Sequence, residues 1–202
     1  MTHITARIKL YHAPGFSSLA DHVALLEAGL DFDLVKVDIF TGRLEDGSDY
    51  TEINPKGYVP ALVLESGEIL TENAAILCWA ADRAPHLAPR GELGRYRLIE
   101  MLAFLAAEIH KRFPIYLAMP EEAQPLLRKE ILHRFGLLVP QLERSGYLIG
   151  DDFSVADLYL YVLSGGALKM EFPLAECFRD HVARIGARLF VREAERREGL
   201  AA

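Results

Sequence analysis

Short apolar runs alternate with longer amphipathic stretches along the chain up to about Pro85. The runs are typical of strands, and stretches with an apolar residue every three or four positions are typical of helices. The predicted elements are strands at residues 8–11, 32–39, 61–64 and 69–70, and helices at residues 17–28 and 72–83. The turn at residues 65–68 joins the last two strands as a hairpin, and the polar residues 41–50 are predicted to be partly helical. This order predicts an α/β layer with a mixed sheet.

The strand pattern disappears from Gly91 onward and only helical periodicity remains. One predicted helix, running to about residue 117, places five apolar side chains on a single face: Ile99, Leu102, Ala106, Ile109 and Phe113. Further helices are predicted at residues 126–142, 154–168, 175–188 and 191–198. The proline-rich residues 84–91 show no periodicity, which indicates a domain boundary. We therefore predict an α/β domain at residues 1–85 and an all-α domain at residues 91–202.

Composition narrows the range of functions. The chain of 202 residues has a formal net charge of −7 and a pI of about 5.5, which argues against a nucleic-acid partner. The sequence shows no signal peptide and no membrane span. Its two cysteines, Cys78 and Cys177, lie far apart in apolar helical contexts, so we expect reduced thiols and a cytoplasmic protein. None of the seven histidines has metal-ligand spacing, so no metal is predicted.

The segment between the first strand and the first helix carries the clearest chemical indication. A strand that turns sharply into a helix presents unpaired N–H groups and the positive end of the helix dipole. That environment stabilises a thiolate. The segment contains two hydroxyl groups, those of Ser17 and Ser18, but no cysteine. Any sulfur at this site must therefore come with a substrate.

Two further motifs have both a binding and a structural interpretation. A cis Val59–Pro60 bond would turn the Val59 backbone outward to pair with a peptide ligand, whereas the alternative is an ordinary loop. Glu72 and Asn73 begin a predicted helix, where a carboxylate suits a ligand amine and backbone N–H groups suit a ligand carboxylate. The alternative there is simple helix capping. Ser154 and Asp157 form a capping box, which is structural.

Taken together, these motifs resemble the cytosolic glutathione transferase family, most closely the bacterial beta class. The resemblance spans nearly the whole chain, and its motifs in chain order are Lys9-Leu10-Tyr11 with Ala13-Pro14-Gly15, Glu27-Ala28-Gly29-Leu30-Asp31-Phe32, Asn54-Pro55-Lys56-Gly57 with Val59-Pro60, Leu70-Thr71-Glu72, Glu108-Ile109-His110-Lys111 and Phe153-Ser154-Val155-Ala156-Asp157. The resemblance implies a thioredoxin-like N-terminal domain, an all-helical C-terminal domain, a homodimer, and glutathione as co-substrate.

The resemblance also implies which residues bind glutathione. Val59, before a cis Pro60, would pair through its backbone with the cysteinyl part of the tripeptide. Glu72 and Asn73 would hold the γ-glutamyl end, with the Asn73 side-chain amide replacing a contact that the family makes differently. Glu108 would reach the ligand of the partner subunit.

The residue expected beside the glutathione sulfur differs from that of the beta class, which carries a cysteine where this chain has Ser17. Disulfide exchange with glutathione by the protein's own sulfur is thereby removed at this position. The leading hypothesis is a glutathione-dependent transferase, in which Ser17 or Ser18 donates a hydrogen bond to the glutathione thiolate that attacks a small hydrophobic electrophile. His110, which taken alone indicates a helix-surface histidine, would lie near the thiol, with His12 or Tyr116 beside the electrophile. The alternative is a non-catalytic, transferase-like binding or regulatory protein.

Overall fold

A five-stranded mixed sheet forms the N-terminal part of the protein. The computed structural model describes residues 7–200. The strands are β1 (Ile8–His12), β2 (Phe32–Asp38), β3 (Arg43–Leu44), β4 (Ala61–Val63) and β5 (Ile69–Thr71). They lie in the order β3-β2-β1-β4-β5; β1 and β2 are parallel, and the other neighbouring pairs are antiparallel.

Two helices belong to the sheet region, α1 (Ser18–Glu27) and α2 (Asn73–Arg83). In the part of the chain that the structure describes after them, all regular structure is helical. The elements are α3 (Gly94–Phe104), α4 (Arg112–Ala118), α5 (Gln124–Gly136), α6 (Val139–Ser145), α7 (Val155–Lys169), α8 (Glu176–Gly186) and α9 (Leu189–Arg197). A π-helical turn, Leu105–His110, connects α3 to α4. This arrangement confirms the predicted fold class, whereas the division into domains at residues 1–85 and 91–202 stays a prediction.

Two of the predicted elements are wrong in detail. Residues 41–50 form β3 and turns rather than helix, and the only helical turn nearby is the 3-10 turn Tyr50–Glu52. Gly42 and Gly47 adopt φ values of +68° and +84°, which a right-handed helix does not accommodate. The predicted helix at residues 126–142 is divided into α5 and α6, because Pro140 lacks the N–H that would continue α5 and sits instead in the first turn of α6.

Helix α1 lies between the sheet and the helical region. It packs on β1 on one side and on α7 and α9 on the other. Its apolar side chains join one core cluster that runs from the sheet through Leu10 and Leu25 to Phe135 and Phe178 in the helices. The N-terminus of α1 is therefore held against α7 by continuous packing. None of the helices within residues 7–200 is long and apolar enough to cross a membrane.

The start of α7 is fixed by the predicted capping box, which the structure confirms. Asp157 Oδ2 accepts the Ser154 N–H at 2.9 Å. Asp157 Oδ1 accepts the Leu148 N–H at 2.9 Å and lies 3.2 Å from His181 Nε2. These contacts secure the helix that forms one wall of the candidate site.

Candidate functional site

A cavity of about 130 Å³ lies between the turn that precedes α1 and the face of α7. Ser17 and His110 are the residues with polar side chains in its lining, and the remaining wall is apolar. The complete lining is Gly15, Phe16, Ser17, His110, Phe113, Val162, Leu163, Gly166, Ala167 and Met170. An apolar cavity with a few polar groups is the usual form of a small-molecule site.

Ser17 is the serine that lines this cavity. It is the N-cap of α1, yet its side chain makes no capping hydrogen bond, and within residues 7–200 its Oγ has no hydrogen-bond partner. Ser18 is fully buried, and its Oγ accepts the Ala13 N–H at 3.1 Å. The two predicted serines therefore differ in role: the Ser18 hydroxyl closes the turn, whereas Ser17 lines the cavity.

A carboxylate from the far end of the chain holds the turn that carries Ser17. Glu198 Oε2 accepts the Gly15 N–H at 3.0 Å, and Glu198 Oε1 lies 2.8 Å from His22 Nδ1 and 3.4 Å from His12 Nδ1. Burial acts to raise the pKa of Glu198, but the contacts from the two histidines and from Gly15 outweigh it and leave this pKa below its ordinary value. His12 is therefore buried beside Glu198 and is not among the residues that line the cavity, so the structure does not bring it to the predicted electrophile pocket.

His110 is the last residue of the π-helical turn, a type of irregularity that is frequent at functional sites. Its Nδ1 lies 2.7 Å from the Tyr159 hydroxyl, and the two rings meet edge to face. Burial, together with the positive charge of Lys111, lowers the pKa of His110 below its ordinary value. Tyr116 packs instead against Phe172, away from the cavity lining.

The Val59–Pro60 peptide bond is cis, as the family resemblance implied, and not part of the ordinary loop that the residues alone left open. Val59 is itself buried, but within residues 7–200 neither its N–H nor its C=O makes a hydrogen bond. Nearby, the Tyr58 carbonyl accepts hydrogen bonds from Asn54 Nδ2 at 2.6 Å and from the Tyr50 hydroxyl at 3.1 Å. The hydrogen bonds to the Tyr58 carbonyl thus hold the loop in place, while the Val59 N–H and C=O remain available to pair with a ligand.

Glu72 stands at the N-terminal end of α2 with a φ of +74°, a value that non-glycine residues adopt rarely. Its Oε1 accepts hydrogen bonds from Lys56 Nζ at 2.5 Å and from the Tyr58 hydroxyl at 2.8 Å. The Lys56 hydrogen bond lowers the pKa of Glu72. The half-exposed carboxylate is therefore ionised at neutral pH and oriented before any ligand arrives.

The Asn73 side chain points into the protein rather than toward a ligand. Its Nδ2 donates to the Ser17 carbonyl at 3.0 Å and to Asp21 Oδ2 at 2.6 Å. This corrects the expectation that the Asn73 amide contacts the γ-glutamyl group, because both amide hydrogens are already used. The amide instead ties α2 to the N-terminal end of α1, where Ser17 lies.

Glu108 is held by arginines of its own chain. Its Oε2 lies 2.8 Å from Arg134 Nε and 2.9 Å from Arg112 Nη2. The Arg134 hydrogen bond lowers the pKa of Glu108. Glu108 does not line the cavity, and the expected contact with a partner's ligand stays a prediction.

Asp21 is a fully buried carboxyl group whose Oδ1 has no partner within residues 7–200. Burial raises the pKa of Asp21 well above its ordinary value. The folded state thus retains a proton that the unfolded state releases, so stability falls as the pH rises above the ordinary pKa of an aspartate.

Replacing Asp21 with asparagine removes the loss of stability at higher pH, because asparagine does not ionise, and keeps an acceptor for the Asn73 amide. We expect Asp21→Asn to raise Tm near pH 7 by about 2–4 °C, the shift that ~1 kcal/mol produces in a protein of this size. Thermal unfolding measured at pH 5 and pH 8 should show the larger gain at pH 8. Asp180→Asn, at an exposed position on α8, is the matched control. A gain that is equal at both pH values would contradict the assignment.

Four site residues were not predicted from the sequence: Asp21, His22, Tyr159 and Glu198. Asp21 and His22 interrupt an apolar stretch of α1, and both are fully buried. Their position in that stretch could have indicated that they are buried polar groups. Glu198 follows a strongly charged helix, where nothing in the sequence distinguishes a buried carboxylate from an exposed one. Within residues 7–200, no group of three or more histidine, cysteine or acidic side chains is arranged to hold a metal ion.

Comparison with known proteins identifies the family. Residues 22–83 match the family described as glutathione S-transferase, N-terminal domain. The chain is 38% identical to glutathione S-transferase GstA of Escherichia coli O157:H7, over 96% of this chain and all of that protein. The structure of a bacterial beta class glutathione S-transferase from Sphingomonas chungbukensis is 42% identical and superposes with a TM-score of 0.87, covering 96% of this chain and all of that one. A sphingomonad glutathione S-transferase complexed with glutathione is 41% identical with a TM-score of 0.86 and the same coverage. The sheet, the helical region and the near-complete match together show that this chain belongs to the glutathione S-transferase family.

Proposed function

We propose that the protein is a glutathione-dependent transferase that uses Ser17 to activate the thiol of glutathione for attack on a small hydrophobic electrophile. The observation that carries this proposal is that Ser17 lies at the N-terminus of α1, lines an apolar cavity, and has a hydroxyl with no hydrogen-bond partner within residues 7–200. The site requires no metal for this chemistry.

Glutathione has polar groups that match those left open around the site. The Val59 backbone would pair with the cysteinyl residue as an added strand. The Glu72 carboxylate would accept the α-amino group of the γ-glutamyl residue. The N–H groups in the first turn of α2, beginning at Asn73, would receive its carboxylate. The sphingomonad relative, whose structure contains glutathione, supports glutathione as the ligand.

The cavity also has the chemistry of an electrophile pocket. The α7 side chains and Phe113 provide an apolar wall opposite Ser17, so an electrophile bound there lies beside the thiolate. A serine in place of the beta-class cysteine leaves open the non-catalytic alternative. An uncommitted hydroxyl at this position favours the enzyme, because a purely structural serine would be used for capping, as the Ser18 hydroxyl is used to close the turn.

Conjugation of glutathione to an activated aryl halide, with calorimetric measurement of glutathione binding, tests the proposal. Detectable binding and turnover are expected, whereas no binding at millimolar glutathione would favour the regulatory alternative.

Glu72→Gln is expected to raise the Kd for glutathione about tenfold to hundredfold, because it removes a charge-assisted contact to the ligand amine. Calorimetry measures this directly. Glu68→Gln, at an exposed position in the β4–β5 turn, is the control and should bind like the unmodified protein. An unchanged Kd in Glu72→Gln would remove Glu72 from the binding site.

We further propose, from the family resemblance, that the protein is a cytoplasmic homodimer in which Glu108 reaches toward the ligand of the partner subunit. Light scattering of the purified protein measures the assembly. A mass of one chain at micromolar concentration would contradict the dimer without bearing on Ser17.

A further inference from the structure

The hydrogen bond between His110 and Tyr159 determines which nitrogen of the imidazole carries the hydrogen. Tyr159 is 1% exposed, and its hydroxyl makes no hydrogen bond within residues 7–200 other than the 2.7 Å contact with His110 Nδ1. If Nδ1 donated to the tyrosine oxygen, the buried hydroxyl hydrogen would have no acceptor, which is unfavourable. The hydroxyl therefore donates, and Nδ1 accepts.

The remaining nitrogen of His110 faces a different environment. Within residues 7–200, Nε2 makes no hydrogen bond, yet it is not among the buried polar atoms that lack a partner, so solvent reaches it. His110 lines the same cavity as Ser17. A neutral imidazole whose Nδ1 is an acceptor must carry its hydrogen on Nε2.

We propose that Tyr159 is a positioning residue that holds His110 as the Nε2–H tautomer, so that a neutral imidazole donates a hydrogen bond into the cavity beside Ser17. This inference rests on the proposed function for its ligand, the glutathione thiolate. In this arrangement Ser17 and His110 are two donors converging on one sulfur. The lowered pKa of His110 and the burial of the Tyr159 hydroxyl, which raises its pKa, keep both groups in the required protonation states near pH 7.

Nitrogen NMR of histidine-labelled protein tests the tautomer without any ligand, because the two ring nitrogens have different shifts when protonated and unprotonated. His110→Gln assigns the signals by removing them. We expect Nε2 of His110 to be protonated and Nδ1 to be unprotonated at pH 7.5. A protonated Nδ1 in the unmodified protein would overturn the proposal, whether or not glutathione binds.

Tyr159→Phe removes only the hydroxyl. We expect the His110 signals to move toward the other tautomer and kcat to fall about fivefold to tenfold, the loss of about one neutral hydrogen bond, with KM for glutathione unchanged. The matched control is Tyr161→Phe, on the same helix, whose hydroxyl donates to Glu195 at 2.5 Å. That variant should leave the His110 signals in place. Unchanged His110 signals in folded Tyr159→Phe would also overturn the proposal.

Discussion

Replacing Glu198 with alanine is expected to destabilise the protein by about 2–6 kcal/mol, because it leaves two buried donors without an acceptor, at ~1–3 kcal/mol each. The Glu198 side chain is fully buried. Without it, the Gly15 N–H and His22 Nδ1 lose their acceptor. Chemical denaturation should show the loss as a lower midpoint with an unchanged slope.

The same change is expected to slow conjugation, because Gly15 lies two residues before Ser17 and its φ of +74° is held by the contact with Glu198. Leu200 packs beside Gly15 as well, so this contact joins the C-terminal end of the described chain to the active-site turn.

Glu193→Ala is the control for Glu198→Ala. Glu193, on α9, pairs with Arg196 and Arg197 near the protein surface, where ion pairs contribute little. A comparable loss of stability in both variants would show that negative charge in or next to α9, rather than the buried contact, supports the fold.

The lowered pKa of Glu198 also predicts how stability depends on pH. The contribution of Glu198 to the free energy of unfolding is present above the ordinary pKa of a glutamate and is lost as the pH falls toward the lowered value.

Replacing Ser17 with alanine is expected to lower kcat/KM about 10-fold to 150-fold. A hydrogen bond to a charged acceptor contributes about 1.5–3 kcal/mol, and each ~1.4 kcal/mol is a factor of ten in rate. Lowering the pKa of a thiol by two units from about 8.5 requires ~2.7 kcal/mol of thiolate stabilisation. The N-terminus of α1 supplies only about 0.3–1 kcal/mol of this, so the serine must supply most of the rest.

Ser18→Ala is the matched control for Ser17→Ala. Its hydroxyl is bonded to the Ala13 backbone and Ser18 lies outside the cavity lining, so its loss should reduce stability and lower kcat/KM much less than Ser17→Ala does. Equal rate losses in the two serine variants would indicate that the shape of the turn, and not the Ser17 hydroxyl, controls the rate.

Local periodicity was sufficient to predict most of the secondary structure. Strand β1, helix α2 and the capping box of α7 follow from patterns that lie within a few consecutive residues. The conformation of residues 41–50 was not predictable in this way, because the segment is mostly polar and the positive φ values of Gly42 and Gly47 decide its conformation.

The site was predictable only where family motifs mark it. The position of Ser17 at the start of α1 and the cis bond before Pro60 are both recognisable from short motifs. The inward direction of the Asn73 amide and the contact of Glu198 with Gly15 are not, because they depend on residues 52 and 183 positions apart that only the folded chain brings together.

The pKa of the glutathione thiol bound to the protein tests the central claim most directly. It can be read from the ultraviolet absorbance of the thiolate as the complex is titrated, in the unmodified protein and in Ser17→Ala. Hydrogen bonding by Ser17 predicts a thiol pKa below the ordinary ~8.5 in the unmodified protein, and a value about one to two units higher in the variant. The same thiol pKa in both proteins, with glutathione bound to each, would contradict the role of Ser17.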